Sequence, residues 1–240
     1  MKAIILAGGK GSRLHPFSAT LPKPLMPLGD VPVLELLLRR LHDAGFKEVV
    51  LAVNHLRHLI EAFFGDGTRF GLRITYSLED QPLGTAGPIG PVLENLGDDF
   101  LLANGDLLTT LDVRAMIQSH LARKADATIG VCEREMQSEF GVIEADSDMR
   151  MTCYNEKPVI RQLVSMGIYV LNATAIRRHI RPGVYLDVNT LVQAMVATSQ
   201  RVFCHKQDCF WLDIGRPDDF ALAQRMYEKN PAMFLGIGRS

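Results

Sequence analysis

The sequence predicts a three-layer α/β fold around a mostly parallel sheet, and two observations carry this prediction. Strand-like apolar runs alternate with helical segments through the first half of the chain, as they do in consecutive βα units. The strand-like runs, such as residues 3–6, are apolar at every position, which is typical of parallel strands covered on both faces. After Glu133 the segments become short and mostly strand-like, so we expect a smaller β-rich portion packed on the same core.

Local patterns define each element in turn. Apolar residues at helical spacing over 33–44 end at Gly45, a favoured residue just past a helix, and a helix over 56–64 stops at Gly65. Further elements of the first half are helices over 86–96 and 111–122 and strands over 3–6, 47–53, 72–76, 99–103 and 127–132. After Glu133 we predict strands over 141–144, 151–154, 165–171, 201–205 and 209–212, and helices over 188–198 and 217–228.

Size and composition restrict the class of protein. A chain of 240 residues is within reach of one hydrophobic core, so we expect a single domain over residues 1–240. The formal net charge of −1 argues against a nucleic-acid-binding protein, whose usual footprint is basic. The four cysteines show no CxxC spacing, and we expect reduced thiols in a cytoplasmic protein. The apolar start MKAIILAGG is too short for a signal-peptide core, and no run reaches the roughly 18 to 20 apolar residues of a membrane span, so we expect a soluble, untargeted protein.

The stretch LAGGKGSRLHPFSATLPKPL, residues 6–25, combines glycines with two cations directly behind the first strand. Glycine backbone N–H groups can converge on an oxyanion, and Arg13 and Lys23 would add a guanidinium fork and a point charge. Pro22 and Pro24 are expected to hold Lys23 in extended backbone. The stretch is neither a Walker A loop nor a GxGxxG fingerprint. A plain turn explains the glycines alone, whereas the added Arg13 and Lys23 favour a phosphate site.

Two aspartates follow predicted strands at the same edge of the sheet. Asp106 lies in FLLANGDLLT and Asp213 in FWLDIGRPDDF, each directly after an apolar run. Either one alone is better explained as a turn or helix cap, but the pair beside a phosphate loop favours Mg²⁺ binding. Asp218 and Asp219 follow Pro217 in the first turn of a helix, where they suit the helix dipole.

The stretches FGVIEAD and YNEKP carry further polar residues. Lys157 would be a suitable cation for a phosphate, and Glu156 could accept hydrogen bonds from hydroxyl groups. Alone, this motif is better explained as a surface Glu-Lys pair before a proline.

The motif LAGGKGSRLHP followed by LPKPLMPLG resembles the signature of the sugar-nucleotide pyrophosphorylases, and the resemblance extends from residue 3 to about residue 220. It implies a Rossmann-like, glycosyltransferase-A-like nucleotidyltransferase fold, with a nucleotide-binding part over about 1–132 and a sugar-phosphate-binding part over about 133–228. It also implies that Arg13, Lys23 and Asp106 are catalytic and that Asp106 and Asp213 hold Mg²⁺. The implied nucleotide-binding residues are Leu6, Ala7, Gly8, Gly9, Gly11, Ser12, Arg13, Lys23, Gly84 and Thr85.

The resemblance assigns the remaining motifs to the base and the sugar. In PLGTAG, Gly84 and Thr85 belong to the loop that closes over the base, although Thr85 could equally cap a helix. GV and EKP resemble the sugar-side motifs, which implies that Gly141 and Glu156 contact the sugar and Lys157 its phosphate, with Asn104 as a further contact to a sugar hydroxyl. NGD and WLDIGRPDDF resemble the motifs whose aspartates bind the metal. From the chain length we expect no C-terminal left-handed β-helix. A homodimer is possible, and the sequence does not decide the oligomeric state.

The implied reaction joins a nucleoside triphosphate to a sugar 1-phosphate and releases pyrophosphate, in nucleotide-sugar biosynthesis for cell-envelope polysaccharides. LGTAGP and DIGRPDDF look closest to guanylyltransferases acting on mannose 1-phosphate or a heptose 1-phosphate. Uridylyl- or thymidylyltransferases of glucose-type or amino-sugar 1-phosphates remain an alternative, as does a choline-type cytidylyltransferase. A non-catalytic subunit that senses nucleotide sugars is the alternative from another class.

Overall fold

The computed structural model describes residues 1–9, 11–14, 20–79 and 81–235. Seven strands form one large sheet: β1 (Lys2–Leu6), β4 (Glu48–Val53), β5 (Arg73–Leu78), β6 (Asp99–Asn104), β8 (Ala127–Gln137), β11 (Val159–Asn172) and β12 (Val202–Lys206). Their order across the sheet is β12-β8-β11-β6-β1-β4-β5. Strand β11 is antiparallel to both of its neighbours, and the other adjacent strands are parallel. The predicted mostly parallel sheet is therefore confirmed.

Short strand pairs and helices complete the described part of the chain. The strand pairs are β2 (Pro27–Leu28) with β3 (Val31–Pro32), β7 (Leu107–Thr109) with β13 (Trp211–Asp213), and β9 (Val142–Ala145) with β10 (Met151–Asn155). The α-helices are α1 (Val33–Asp43), α2 (Arg57–Phe64), α3 (Val113–Ala122), α4 (Ala173–Ile176), α5 (Val188–Ala197), α6 (Pro217–Lys229) and α7 (Ala232–Leu235). Among the helices formed by the described residues, none has the length and apolar character that crossing a membrane requires.

Apolar side chains pack on both faces of the sheet, which produces the three layers. Helices α1, α2 and α3 cover one face, where residues such as Leu38, Ile60 and Met116 are fully buried. Helices α4 and α5 and the segment Gly87–Asn95 cover the other face. A third cluster packs β2, β13, α6 and α7 beside α1. Because both faces are covered, the strands have the continuously apolar sequences from which the fold was predicted.

One local prediction needs refinement, because the predicted helix over 86–96 is of the 3-10 type, and another is wrong. The segment over 86–96 is a 3-10 helix, Gly87–Asn95, because Pro88 and Pro91 lack the N–H groups that an α-helix needs. Lys23 does not lie in extended backbone: Pro22 is extended (φ −65°, ψ 142°), and Lys23 begins a 3-10 turn over Lys23–Leu25.

The strands β8 and β11 are longer than predicted. They continue beyond the sheet as a two-stranded ribbon, in which Val159 pairs with Gln137 and Ser165 with Val131. The side chains of the outer part of the ribbon are exposed. Sequence patterns favour half-buried or buried strands, so they missed this solvent-exposed extension.

Candidate functional site

A cavity lies at the carboxyl ends of the parallel strands, the edge where open α/β sheets bind ligands. It encloses about 510 Å³, a size that suits a small-molecule ligand. The loops after β1, β4, β5 and β6 meet the start of α5 there. The lining residues are Leu6, Ala7, Gly8, Gly9, Gly11, Lys23, Pro24, Asn54, Glu79, Pro82, Leu83, Gly84, Thr85, Asn104, Asp106, Tyr185 and Asp187.

The glycine-rich loop leaves β1 and forms one wall of the cavity. Gly8, Gly9 and Gly11 all line it, as predicted for a backbone that approaches an anion. Ser12 begins a 3-10 turn, Ser12–Leu14. The Ser12 side chain, Lys10 and residues 15–19 of the motif lie outside the described residues, as do Asp80 and residues 236–240.

Gly105 holds the end of β6 against the end of β1. Its N–H donates to the Leu6 carbonyl oxygen at 2.9 Å. A Cβ atom at position 105 would lie 2.8 Å from that oxygen, which is closer than real Cβ atoms approach. Glycine therefore allows the close contact that places Asn104 and Asp106 beside the glycine-rich loop.

Lys23 and Asp106 form an ion pair inside the cavity. The Lys23 Nζ donates to Asp106 Oδ2 at 3.1 Å, and the two side chains are only 11% and 21% exposed. These residues are separated by 83 positions in the sequence, and the turn at Lys23–Leu25 directs the lysine to the carboxylate. The structure thus brings together the predicted phosphate-binding lysine and the predicted metal ligand.

Asp213 joins this pair through the short β7–β13 ladder. Asp213 lies opposite Leu107, and the next N–H, from Ile214, donates to the Asp106 carbonyl oxygen at 3.0 Å. Burial raises the pKa of Asp213, and the Asp106 carboxylate raises it further, whereas the Lys23 and Arg13 cations lower it. The two carboxylates are therefore close enough to repel each other.

Arg13 lies on the outer side of the same cluster. A Cβ atom placed on Gly215 would lie 3.6 Å from Asp213 Oδ1 and 3.8 Å from both Arg13 Nη2 and Asp219 Oδ2. Arg13 and Asp213 themselves are outside the cavity lining. The predicted arginine, lysine and two aspartates thus form one group at the mouth of the cavity, with Asp219 added from the first turn of α6.

The donors at this site fit a hard divalent cation. Within the described residues, no group of three or more His, Cys, Asp or Glu side chains is positioned to hold a metal ion. Mg²⁺ commonly needs only one or two protein carboxylates, since substrate phosphates and water complete its shell. A cation bound here would offset the negative charge of Asp106 that helps to raise the pKa of Asp213.

Asn104 lines the cavity and lies next to a bulge in β11. The register of β11 against β8 shifts between Ser165 and Tyr169, and Gly167 within this stretch has φ +71°. A Cβ atom on Gly167 would lie 2.6 Å from Asn104 Nδ2. The bulge therefore packs against the side chain of Asn104, the predicted sugar-contact residue.

Thr85 links the PLGTAG loop to the start of α5. Its Oγ1 accepts from the Val188 N–H at 2.8 Å and donates to Asp187 Oδ1 at 3.3 Å, and its N–H donates to the same Oδ1 at 3.2 Å. The Tyr185 hydroxyl donates to the other carboxylate oxygen at 2.8 Å. Thr85 thus caps a helix, but this helix is α5, which is remote from Thr85 in the sequence. Thr85 also lines the cavity.

The remaining predicted sugar residues lie together near the ribbon, outside the cavity lining. The Tyr154 hydroxyl donates to Glu156 Oε2 at 2.9 Å, and a Cβ on Gly141 would lie 2.3 Å from that hydroxyl. Lys157 is exposed and has φ +45°, a conformation that favours glycine. The structure groups these residues with one another but not with Lys23 and Asp106.

Sequence reasoning missed several cavity residues, namely Pro24, Asn54, Glu79, Pro82, Leu83, Tyr185 and Asp187. Asn54 directly follows the strand predicted over 47–53, and Glu79 directly follows β5, which extends beyond the strand predicted over 72–76. Both could have been found, because ligands bind at such strand ends. Tyr185 and Asp187 carried no such signal, since they enter the cavity from the far side of the sheet before α5.

Similar proteins are known in sequence and in structure. Residues 2–230 match the family described as Nucleotidyl transferase. A mannose-1-phosphate guanylyltransferase of Mycobacterium tuberculosis is 34% identical over 224 residues, which cover 91% of this chain and 62% of that protein. A UTP–glucose-1-phosphate uridylyltransferase of Synechocystis is 34% identical over 244 residues, covering 94% and 63%. The chain thus spans less than two thirds of either relative.

The structural likeness extends over nearly the whole chain. The crystal structure of HddC from Yersinia pseudotuberculosis has a TM-score of 0.74 at 24% identity, covering 94% of this chain and 99% of that one. At that identity the likeness concerns the fold, and it confirms the three-layer prediction.

Proposed function

Because the chain belongs to the nucleotidyl transferase family, we propose that it joins a nucleoside triphosphate to a sugar 1-phosphate and releases pyrophosphate. The observation that carries this proposal is the convergence of Lys23, Asp106, Arg13 and Asp213 beside a glycine-lined cavity. GTP with mannose 1-phosphate or a heptose 1-phosphate is the first substrate pair to test. UTP or dTTP with glucose-type or amino-sugar 1-phosphates is the second.

The proposed reaction is a single in-line displacement. An oxygen of the sugar 1-phosphate forms a bond to the α-phosphorus, the bond from that phosphorus to the bridging oxygen breaks, and pyrophosphate leaves with the electron pair. No covalent enzyme intermediate is needed. The catalytic contribution of the chain is therefore positioning and charge neutralisation.

Each charged residue has a distinct proposed role. The backbone N–H groups of the glycine-rich loop bind the triphosphate, and Arg13 and Lys23 neutralise charge that accumulates on it. Asp106 and Asp213 would hold Mg²⁺, which when bound neutralises negative charge on the phosphate oxygens. Asn104, which lines the cavity, would contact a sugar hydroxyl.

Lys157 is the residue proposed to bind the phosphate of the sugar 1-phosphate. Its place near the ribbon, outside the cavity lining, means that the sugar would bridge the cavity and the ribbon. Gly141 and Glu156 accompany Lys157 and would contact the sugar there. A cytoplasmic location and a homodimer also stay predictions.

Pyrophosphate release tests the proposal directly. The purified chain is assayed with each of GTP, UTP, dTTP, CTP and ATP against a panel of sugar 1-phosphates in the presence of Mg²⁺. We expect turnover with at least one pair, and Asp106→Asn should lower kcat by about 100-fold or more. Asp218→Asn is the matched control, because Asp218 is an exposed aspartate of the α6 first turn. Binding of a nucleotide sugar without turnover by the unmodified chain would indicate a sensing subunit instead.

A further inference from the structure

Trp211, the only tryptophan of the chain, lies two residues before Asp213 in β13. Its indole N–H donates to the Met166 carbonyl oxygen at 2.8 Å. Met166 is fully buried and directly precedes Gly167 in the bulge of β11. The hydrogen bond therefore ties the indole ring to the large sheet, beside the contact between Gly167 and Asn104.

Strand β13 has an open edge at Trp211. In the part of the chain that the structure describes, β7 is the one strand that pairs with β13. The Phe210 carbonyl oxygen accepts the Thr110 N–H at 2.9 Å, so it faces β7. Because successive residues of a strand direct their peptide groups to opposite sides, the Trp211 carbonyl oxygen faces away from β7. A strand of three residues with an open edge has few backbone hydrogen bonds to fix its position.

Arg134 fills this open edge from the ribbon. Its Nη2 donates to the Trp211 carbonyl oxygen at 3.1 Å, and its guanidinium carbon lies 5.1 Å from the centroid of the Trp211 ring. A cation within about 6 Å of an indole centroid is attracted to the face of the ring. Arg134 is itself exposed and lies opposite Gln162 in the β8–β11 ladder. One side chain of the ribbon thus binds both the backbone and the ring of Trp211.

The ring of Trp211 and the carboxylate of Asp213 lie on the same face of β13. Side chains two positions apart in a strand point to one face and are separated by about 7 Å along it. A shift of Trp211 would therefore move Asp213 relative to Asp106. Arg134 also belongs to the ribbon near whose outer end Lys157 lies, so its contact with Trp211 connects that ribbon to the carboxylate pair.

We propose that Arg134 is a positioning residue for Mg²⁺ binding: by holding Trp211, it fixes the Asp213 carboxylate where it can share the cation with Asp106. The inference rests on the proposed function and gives a role in it to a residue outside the cavity lining. Side chains that orient a metal ligand typically change metal affinity or activity by about 10- to 100-fold when they are removed. The exposure of Arg134 favours the lower end of this range, because water partly replaces its contacts.

Binding of Mn²⁺, used as the probe for the Mg²⁺ site, tests the inference without a nucleotide. The free Mn²⁺ is measured by electron paramagnetic resonance. Arg134→Ala should raise the Kd for Mn²⁺ by about 10-fold. Arg134→Lys should keep part of the affinity, because a lysine can still donate to the Trp211 carbonyl oxygen. Arg161→Ala is the matched control, since Arg161 is an exposed arginine of the same ribbon that pairs with Glu135, and its Kd should equal that of the unmodified chain.

An Asp213→Asn background separates positioning from general stability. If Arg134 acts through Asp213, adding Arg134→Ala to Asp213→Asn should leave the Kd for Mn²⁺ nearly unchanged. The same loss of affinity in both backgrounds would overturn the inference, because Arg134 would then act through another group. A lower Tm of Arg134→Ala with an unchanged Kd would also overturn it, since the residue would only support the fold. So would an unmodified chain that binds no Mn²⁺.

The fluorescence of Trp211 reports the contact itself, because no other tryptophan contributes to the signal. Arg134→Ala should uncover the indole ring, so that acrylamide quenches its fluorescence more strongly. Arg161→Ala should leave the quenching unchanged. Equal quenching of Arg134→Ala and the unmodified chain would overturn the inference.

These measurements need no turnover, so a chain that releases no pyrophosphate with any substrate pair would contradict the proposed function alone. With a pair that is turned over, the Mg²⁺ concentration that gives half the maximal rate should be about 10-fold higher for Arg134→Ala. An unchanged Mg²⁺ requirement would overturn the inference and leave the proposed function intact.

Discussion

Gly167→Ala should destabilise the protein through two separable effects. Position 167 has φ +71°, and an alanine in this left-handed conformation costs about 1–2 kcal/mol. Its Cβ would also lie 2.6 Å from Asn104 Nδ2 and 3.0 Å from Asn104 Cγ. Overpacking of this kind typically costs about 1–3 kcal/mol. The free energy of unfolding should therefore fall by about 2–5 kcal/mol, which for a chain of this size lowers Tm by roughly 4–20 °C.

Urea and thermal unfolding of the unmodified chain and four variants separate the two effects; the variants are Gly167→Ala, Gly97→Ala, Asn104→Ala and the double variant Asn104→Ala with Gly167→Ala. Gly97→Ala is the control, because Gly97 has φ +82° but a Cβ there meets nothing within 4 Å, so it should lose only about 1–2 kcal/mol. In an Asn104→Ala background the clash is removed, and Gly167→Ala should cost about as much as Gly97→Ala. The same loss from Gly167→Ala with and without the Asn104 side chain would refute the proposed contact.

Four further predictions concern the site itself. Asp213→Asn should lower kcat by about 100-fold yet raise the Tm of the metal-free protein, because it removes a buried charge whose pKa is raised; a lower Tm would contradict this. Thr85→Val should lose about 1 kcal/mol of stability by scanning calorimetry, since the α5 cap and the donor to Asp187 disappear; an unchanged Tm would count against the cap. Lys157→Ala and Lys157→Gly should raise KM for the sugar 1-phosphate by similar factors. The free energy of unfolding should be about 1 kcal/mol higher for the glycine variant than for the alanine variant, because glycine tolerates the positive φ at this position; equal stabilities would argue against strain. Because burial raises the pKa of Glu79, ionisation of this carboxylate destabilises the folded protein, so Glu79→Gln should raise Tm more at neutral pH than at acidic pH; the same change in Tm at both would contradict this.

The sequence was sufficient for the fold because local patterns and tertiary environment agree over most of it. Residues 33–44, for example, have both helical spacing and a glycine stop, and α1 ends at Asp43. The disagreements are physical: Pro88 and Pro91 turn a helical pattern into a 3-10 segment, and the β8–β11 ribbon extends into solvent where no core imposes a pattern. The organisation as a single domain stays a prediction.

The candidate site was predictable only where residues lie in strong motifs or directly after strands. Lys23 and Asp106 were each predicted as site residues from separate motifs, and the structure places them 3.1 Å apart. Asp187 was missed because its function in the site depends on packing with Thr85, which lies 102 positions away. The catalytic, binding and metal roles of the site residues remain predictions.

The bulge at Gly167 also has a mechanical consequence. Strand β11 continues from the bulge to Val159 at the outer end of the ribbon, and at the usual rise of a strand this stretch is about 26 Å long. A rotation of only about 5° at the bulge would therefore displace the outer end by about 2 Å, about the difference between a hydrogen bond and a broken contact. Gly141, Glu156 and Lys157 lie close to this outer end, so such a rotation would change their distance from Asn104 and the cavity.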